Sequence, residues 1–436
     1  MRDFATSDDP AVQRQLNRLA VLSLPQGRFG LETITELLER LGNPQDALPP
    51  VFHVAGTNGK GSTCAFLRAV LEAQGYTVHT ATKPHLVRYN ERIRIAGKLI
   101  SDDALAAILA EVLDLGEDLH PSFFEVTTAA LLLAFNRAPA DACVIEVGLG
   151  GRFDATNVIP APAVCGIATL GIDHEAFLLR PEAGVPQEPL ARIAFEKASI
   201  AKPGVPLVTQ AYPELAAESV RRTAGMTGAP LLMRNRDWWA QTAANGIAYR
   251  DSQGTLLLPL PGLPGAHQAD NAALAVAMLR HQTALPITPE AMAAGVQSAR
   301  WPARLQKLRD GPLTALAAGR TIWLDGGHNP DAGLALARHF AALPPVHLIM
   351  GMLANKDPAA ILAPLAGQIA SLSVVPAPGH EAHTAADFAP YTDLAVRSFG
   401  DVSSALEALS GDGNVLIAGS LYLAGEVLRL NRDVPE

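Results

Sequence analysis

The chain has 436 residues, 49% of them hydrophobic and 18% charged, which describes a well-packed globular protein with room for two or three domains. Its net charge of −9 argues against nucleic acid as a partner, because binding a polyanion needs a basic surface. Three cysteines, Cys64, Cys143 and Cys165, show neither metal spacing nor an even-numbered framework, so a reducing cytoplasm is the expected setting.

Residues 1–10 are polar and acidic, unlike a signal peptide. Apolar positions Leu31, Ile34, Leu37, Leu38 and Leu41 predict a helix ending at Gly42. Residues 50–54 predict a buried strand, 64–73 a helix and 76–81 a second strand. Residues 93–100, with Gly97-Lys98 as the turn, predict a small hairpin, and 102–113 and 124–135 predict helices. The longest apolar run, 127–135, is far too short to span a bilayer, so no membrane association is expected. Residues 141–147 are apolar except for Glu146, as in a central parallel strand. This alternation predicts a doubly wound α/β sheet. The loop 178–189 is rich in proline and glycine and is expected to be mobile. Residues 232–263 carry short alternating segments with Asn245-Gly246 and Gln253-Gly254 turns, predicting a β-ribbon inserted in the first domain.

Arg300-Trp301-Pro302 interrupts the pattern, which puts a border between domains 1–298 and 299–436. Beyond it, strands at 321–324, 346–350, 371–375 and 414–417 alternate with helices, predicting a second α/β domain of about 135 residues. No repeat or coiled-coil pattern is visible, and a monomer is expected.

The chemistry is concentrated at strand ends. The run Val54-Ala55-Gly56-Thr57-Asn58-Gly59-Lys60-Gly61-Ser62-Thr63 joins a strand to a helix start, the makings of a phosphate cradle. Lys60 can reach β/γ-phosphates, and Ser62 or Thr63 can approach a magnesium ion. Val54 stands where the common phosphate loop has its first glycine, so this is a shorter form that points to amide-forming ligases. Glu146 ends an apolar strand and is a natural magnesium ligand; the plainer alternative is a glutamate satisfied by backbone. His174 follows the apolar run 164–170 at another strand end. Lys197, flanked by apolar residues on a helix, reads as a surface residue whose stem snorkels. In the second domain Asp325, His328 and Asn329 cluster after a strand, and Arg304 beside the linker could clamp a phosphate.

Taken in order, the chain resembles the folylpolyglutamate synthase/dihydrofolate synthase family of the Mur ligase superfamily. The resemblance rests on Gly56-Thr57-Asn58-Gly59-Lys60-Gly61-Ser62, Pro84-His85-Leu86, Glu146-Val147-Gly148-Leu149-Gly150-Gly151-Arg152, Asp154-Ala155-Thr156-Asn157 and Asp173-His174. It continues with Phe195-Glu196-Lys197-Ala198, His267-Gln268, Asn271-Ala272-Ala273, Asp325-Gly326, His328-Asn329-Pro330 and Gly419-Ser420-Leu421-Tyr422. It implies a phosphate-loop central domain with a parallel sheet and a small β-rich insertion, followed by a smaller Rossmann-like domain. It implies that Thr57, Asn58, Gly59, Lys60, Gly61 and Ser62 bind ATP, with Asn271, Arg304 and Asp325 as further contacts. Magnesium falls to Glu146 and His174, and Lys197 becomes a CO2-derived carbamate that offers oxygens to a second magnesium. Arg28, Phe29, Ser122, Phe123, Phe124, Glu125, Phe153, Asp154 and Ala155 become pteroate contacts, and His328 and Ser420 lie toward glutamate. Lys60, Lys197 and His174 carry catalysis.

Four positions depart from that pattern. Lys83 replaces a metal-binding serine, and an ammonium has no lone pair for a metal. Either Thr82 or water replaces the serine oxygen, or Lys83 itself neutralises phosphate charge and one metal is weakened. Ala303 and Ser199 replace glycines, and Asn355 replaces an acid.

The implied reaction joins L-glutamate to dihydropteroate or to tetrahydrofolates through an acyl phosphate formed with ATP, under domain closure at a hinge near 300–302. The complete segment Ser122-Phe123-Phe124-Glu125 favours both pterin substrates. The alternatives are an enzyme confined to polyglutamate addition, a cell-wall Mur ligase, and a nucleotide-binding module without turnover. Only about 50 residues precede the loop, too few for the uridine-binding domain of a Mur ligase.

Overall fold

The apolar run ahead of the glycine-rich turn forms β1, Val51–Ala55, with every residue buried. In the computed structural model, which describes residues 6–22 and 30–435, β1 lies inside an eight-stranded sheet. The other strands are β2 (Val78–Ala81), β3 (Ile93–Ile95), β4 (Lys98–Leu99), β5 (Ala142–Glu146), β6 (Val164–Ile167), β7 (Leu207–Thr209) and β8 (Leu231–Met233), in the order β4-β3-β2-β5-β1-β6-β7-β8. The pairs from β2 to β8 are parallel, and the β2–β3–β4 edge is antiparallel.

This order places the chemistry. From β1 the helix Lys60–Ala73 carries the chain to β2, beyond β5, whereas β6 lies on the other side of β1. The carboxyl end of β1 is therefore a point where connections diverge, and ligands of such sheets bind there. Register sets Val54 beside both Glu146 and Gly166. The segments that follow β5 and β6 must flank the turn that follows β1.

One face of the sheet packs against helices Pro10–Ala20, Glu32–Arg40, Asp102–Gly116 and Phe123–Arg137. A second cluster joins β6 and β7 to helices Pro189–Ala198 and Glu214–Thr227. A separate antiparallel ribbon comprises β9 (Trp238–Ala243), β10 (Gly246–Asp251) and β11 (Gly254–Leu258). It begins later than the expected ribbon, because Leu231–Met233 pairs in parallel with β7 as the edge of the large sheet. Three apolar residues cannot by themselves distinguish those two fates.

By contact density the chain divides into two units. The first runs to Lys83 and includes Arg88–Gly262 and Ala269–Arg300; the second comprises Pro84–Val87, Leu263–Gln268 and the residues from Trp301 onward. Two short stretches from before residue 298 thus group with the second unit. That unit has a six-stranded sheet of β12 (Gln306–Lys307), β13 (Ile322–Leu324), β14 (Val346–Met350), β15 (Ile369–Val374), β16 (Val396–Ser398) and β17 (Val415–Ala418), in the order β12-β13-β17-β14-β15-β16. All its pairs are parallel except β12–β13. Helices Pro330–Phe340 and Ala359–Leu365 cover one face, and Val402–Glu407 and Leu421–Leu430 the other. The short strands β12 and β16 carry too little apolar pattern to be read from the sequence.

Candidate active site

The turn after β1 requires its glycines. Gly56 has φ +150°, and a Cβ there would stand 2.9 Å from Ala168 Cβ. Gly59, at φ +84°, caps the helix Lys60–Ala73, and a Cβ would stand 2.4 Å from the Oδ1 atom of buried Asn271. Asn271 therefore lies directly against the turn. Its N-cap Gly59 makes no side-chain cap bond, so the first N–H groups, including those of Gly61 and Ser62, remain suited to an anion. Thr57 ties the turn to the segment after β6: its hydroxyl donates to Gly171 O (2.8 Å) and accepts from Gly171 N (3.1 Å). The Thr57 and Asn58 amides both donate to Thr169 O.

Two lysines converge on one carbonyl oxygen. Lys60 Nζ donates to Gly56 O (2.9 Å) and Thr57 O (3.3 Å), and Lys197 Nζ donates to Gly56 O (3.0 Å). Lys197 is only 4% exposed, so the expectation of a snorkelling surface lysine is overturned. Its helix, Pro189–Ala198, turns that face inward. Gly151 permits close packing there, since a Cβ would stand 2.6 Å from Glu196 O and 3.1 Å from Lys197 Cα. Burial, reinforced by the charge of Lys60, lowers the Lys197 ammonium to about 7 despite Asp173, Asp154 and Glu196. A substantial fraction of neutral amine is then present near neutrality.

Glu146 is buried at the end of β5, and its Oε2 accepts the backbone N–H of Lys83 (3.1 Å). His174 adopts a left-handed conformation, φ +56°, directly before the short helix Glu175–Leu178, and its amide donates to Asp173 Oδ1 (2.8 Å). Among the described residues no three His, Cys, Asp or Glu side chains gather as a metal cluster. Glu146 and His174 provide one carboxylate and one imidazole, a donor pair suited to a divalent ion but incomplete.

Asp154 anchors the glycine-rich turn after β5. Its Oδ2 accepts from Gly148 N and Leu149 N (both 2.9 Å), and its Oδ1 from Thr156 N (3.0 Å) and Thr156 Oγ1 (2.5 Å). These four donors match the acceptor capacity of a carboxylate. Thr156 spends its only proton on Asp154, so fully buried His53, 2.8 Å away through Nε2, must donate to Thr156 Oγ1. His53 Nδ1 is left without a partner among the described residues. Burial lowers the His53 imidazole to about 4, so it is neutral. Burial alone would raise the Asp154 carboxyl, but Lys83 and the bonds from Thr156 and Leu149 hold it below its ordinary value. Lys83 is lowered by burial, with Asp154 opposing and Arg92 adding to the effect.

Of the expected pteroate contacts, Arg28 and Phe29 lie outside the described residues. Ser122 and Glu125 form a reciprocal cap on the helix Phe123–Arg137, with Ser122 N donating to Glu125 Oε2 (2.7 Å) and Glu125 N to Ser122 Oγ (3.3 Å). Phe123 is buried against Tyr89 and Phe124 in edge-to-face contacts. The same helix packs on the turn Ala155–Val158. Phe153 is exposed, with the Arg152 guanidinium 4.2 Å from its ring centre.

In the second unit, Asp325 follows β13 and accepts from Leu305 N (2.8 Å) and Gly327 N (2.7 Å). Arg304 Nη1 donates to Ala303 O (2.8 Å), and His328 Nδ1 donates to Gly326 O (3.0 Å). Ser420 is buried and accepts from Leu423 N (3.1 Å), capping the helix Leu421–Leu430. A Cβ on Gly326 would meet Leu421 Cδ2 at 2.2 Å and Arg304 Nη1 at 3.2 Å, so the ends of β13 and β17 and the Arg304 turn converge. Ala303 holds φ +54°, a left-handed angle that explains why glycine suits this position. Ser199 has φ −68° and needs no glycine.

No protein-family model matches the chain. It is 35% identical over 410 residues to the dihydrofolate synthase/folylpolyglutamate synthase of Escherichia coli K12, spanning 92% of this chain and 91% of that protein. It is 36% identical over 418 residues to the folylpolyglutamate synthase of Lacticaseibacillus casei, spanning 90% and 92%. The chain belongs to the dihydrofolate synthase/folylpolyglutamate synthase family. A solved bifunctional folylpolyglutamate synthase/dihydrofolate synthase from Yersinia pestis, complexed with AMPPNP and a manganese ion, matches at TM-score 0.82 and 31% identity over 96% of this chain and 97% of that one. The fold is accordingly of the Mur-ligase type.

Within this member of the family, sequence reasoning missed two groups. One is the line from His53 through Thr156 to Asp154; a histidine inside an apolar strand was its only signal. The other is an ionic cluster that runs from buried Arg192 and Glu196 out to exposed Glu182. Arg152 pairs with Glu182 (2.5 Å) and Glu196 (3.0 Å), and Arg192 pairs with Glu182 (2.7 Å) and Glu196 (3.0 Å). These bonds hold Glu182 at about 2, chiefly through Arg152. They pin the loop 178–189 to the helix bearing Lys197, so the loop expected to be mobile has a fixed point at Glu182.

Proposed function

We propose that the chain is an ATP-dependent ligase that joins L-glutamate to dihydropteroate and to the γ-carboxyl of reduced folates. The observation that carries this reading is the meeting of Lys60 and Lys197 on Gly56 O, within a turn whose helix start is left for an anion. On binding, nucleotide phosphates exchange the carbonyl contacts of Lys60 for phosphate oxygens, while the N–H groups from Gly59 to Ser62 cradle them. Asn271, against Gly59, limits the depth of the cradle.

The acid substrate's carboxylate attacks the γ-phosphorus, giving ADP and an acyl phosphate. The amino group of glutamate then attacks the acyl carbon and expels phosphate. Lys60 neutralises charge on the transferring group, because such reactions depend on positioning and electrostatics. A divalent ion, when bound, supplies further charge neutralisation to the phosphates. Glu146 and His174 would hold it, together with Lys197 as a carbamate; near-neutral Lys197 amine supports that modification, since only the free amine adds to CO2. Asp325, Arg304, His328 and Ser420 are proposed for nucleotide and glutamate contacts. The unpaired cysteines agree with a reducing compartment.

The complete Ser122–Glu125 segment favours both pterin substrates over polyglutamate addition alone. The test is ADP and phosphate release by the purified chain with glutamate and either dihydropteroate or tetrahydrofolate. Turnover with both is expected. Turnover with tetrahydrofolate alone restricts the activity, and turnover with neither refutes it.

A further inference from the structure

The lysines around the first unit's strand ends differ in what they bond. Lys60 and Lys197 both donate to Gly56 O. Lys83, just beyond β2, is half-buried, and its ammonium has no hydrogen-bond or ion-pair partner among the described residues. Partial burial strips water from a cation, and an acceptor normally replaces it.

The two carboxylates nearest in electrostatic influence do not supply that acceptor. Glu146 Oε2 takes the Lys83 backbone N–H instead. Asp154 already accepts from Gly148 N, Leu149 N, Thr156 N and Thr156 Oγ1, and His53 behind Thr156 directs that hydroxyl proton onto Asp154. Asp154 therefore lends Lys83 its field but no lone pair. Gly148 keeps the space between them open: a Cβ there would lie 3.1 Å from Asp154 Oδ2 and 3.4 Å from Lys83 Nζ.

We propose that Lys83 is an oxyanion anchor, whose ammonium binds an anionic oxygen of a reactant: the reacting carboxylate of the acid substrate or a phosphate of the nucleotide. The identity of those reactants rests on the ligase reading above. The chemistry asks for such a group, because an anionic carboxylate must approach an anionic phosphate and an intervening cation offsets their repulsion. Asp154, held by Thr156 and His53, keeps the cation in place without consuming its protons.

The test needs binding rather than turnover. AMPPNP with magnesium, and dihydropteroate, are titrated separately by calorimetry into the full chain and into Lys83→Met and Lys83→Arg, with melting curves to confirm folding. Lys83→Gln replaces the methionine variant if that one does not fold. Loss of one charge-assisted bond is expected to weaken one ligand about ten- to a hundredfold, and Lys83→Arg should recover most of it. Weakened AMPPNP assigns the anchor to phosphate, and weakened dihydropteroate assigns it to the carboxylate. The proposal is overturned if Lys83→Met binds both ligands within about twofold of the parent, or if Lys83→Arg loses as much as Lys83→Met, which would make shape rather than charge responsible. A parent chain that binds both ligands yet releases no ADP leaves the anchor measurable and refutes the ligase reading alone.

Discussion

Around the carboxyl ends of β1 and β2 the chain holds cations in reserve: Lys60 and Lys197 share one carbonyl, and Lys83 has no acceptor among the described residues. At the ends of β13 and β17 the expected site residues are already bonded. Asp325 holds two amides, Asn329 accepts from Ala332 N, and Ser420 caps a helix. Both regions carry recognisable motifs at the ends of parallel strands, yet one stores unsatisfied charge and the other satisfied geometry. A motif's position therefore does not reveal whether its side chains contact ligand or shape the backbone that does.

The contrast can be broken most forcefully at Lys60. Lys60→Met should lower kcat by about a hundred- to a thousandfold, the usual effect of removing one group that stabilises transition-state charge. Its melting temperature should change little, since its carbonyl contacts are exchangeable; a large fall in stability would put Lys60 among the structural residues.

Lys197 gives the next largest effect and a pH signature. With the ammonium at about 7, the neutral fraction falls from about nine-tenths at pH 8 to about one-tenth at pH 6, and bicarbonate-dependent activation should fall with it. 13C NMR of protein equilibrated with labelled bicarbonate reads the carbamate directly. The folded value lies below the ordinary lysine value of 10.5, so between about 7 and 10.5 the unfolded chain binds more protons. Stability of the CO2-free protein should therefore rise with pH across that window, and Lys197→Met should flatten the rise.

Smaller effects sharpen the comparison. Asp154→Asn removes acceptor capacity from a half-buried, fully bonded carboxylate and should destabilise by about 1–3 kcal/mol in chemical denaturation. Ser420→Ala should cost about 0.5–2 kcal/mol through the lost cap. If Ser420 only shapes the helix start, the KM for glutamate will stay near the parent value; a rise of tenfold or more would move it to the ligand-binding class.

Much of the site was legible in the chain because its signals are local. The glycines at 56 and 59 are demanded by positive φ and close approach, and a strand followed by such a turn has few other uses. Glu146 was legible as the carboxylate that ends the apolar strand β5, and the bond it accepts from Lys83 N is the backbone partner that the plainer reading expected. Lys197 was not legible from its own neighbours. Its burial depends on Gly151 and Gly56, which lie far away in sequence, and no helical pattern specifies which lysine turns inward. The resemblance to known ligases named it, while the residues themselves suggested the surface.

What the sequence alone determined is the alternation of strands and helices, the phosphate-binding turn, and the order of the family motifs, all consequences of φ/ψ preference and hydrophobic period within short windows. Tertiary structure alone decided which side chains remain unspent: that Asp154 is saturated through Thr156 and His53, that Lys83 lacks an acceptor among the described residues, and that Ser122 and Ser420 are caps. Those outcomes depend on distances between segments brought together by strand order. A hydrogen bond or a lost hydration shell is set by neighbours in space, which no local pattern encodes.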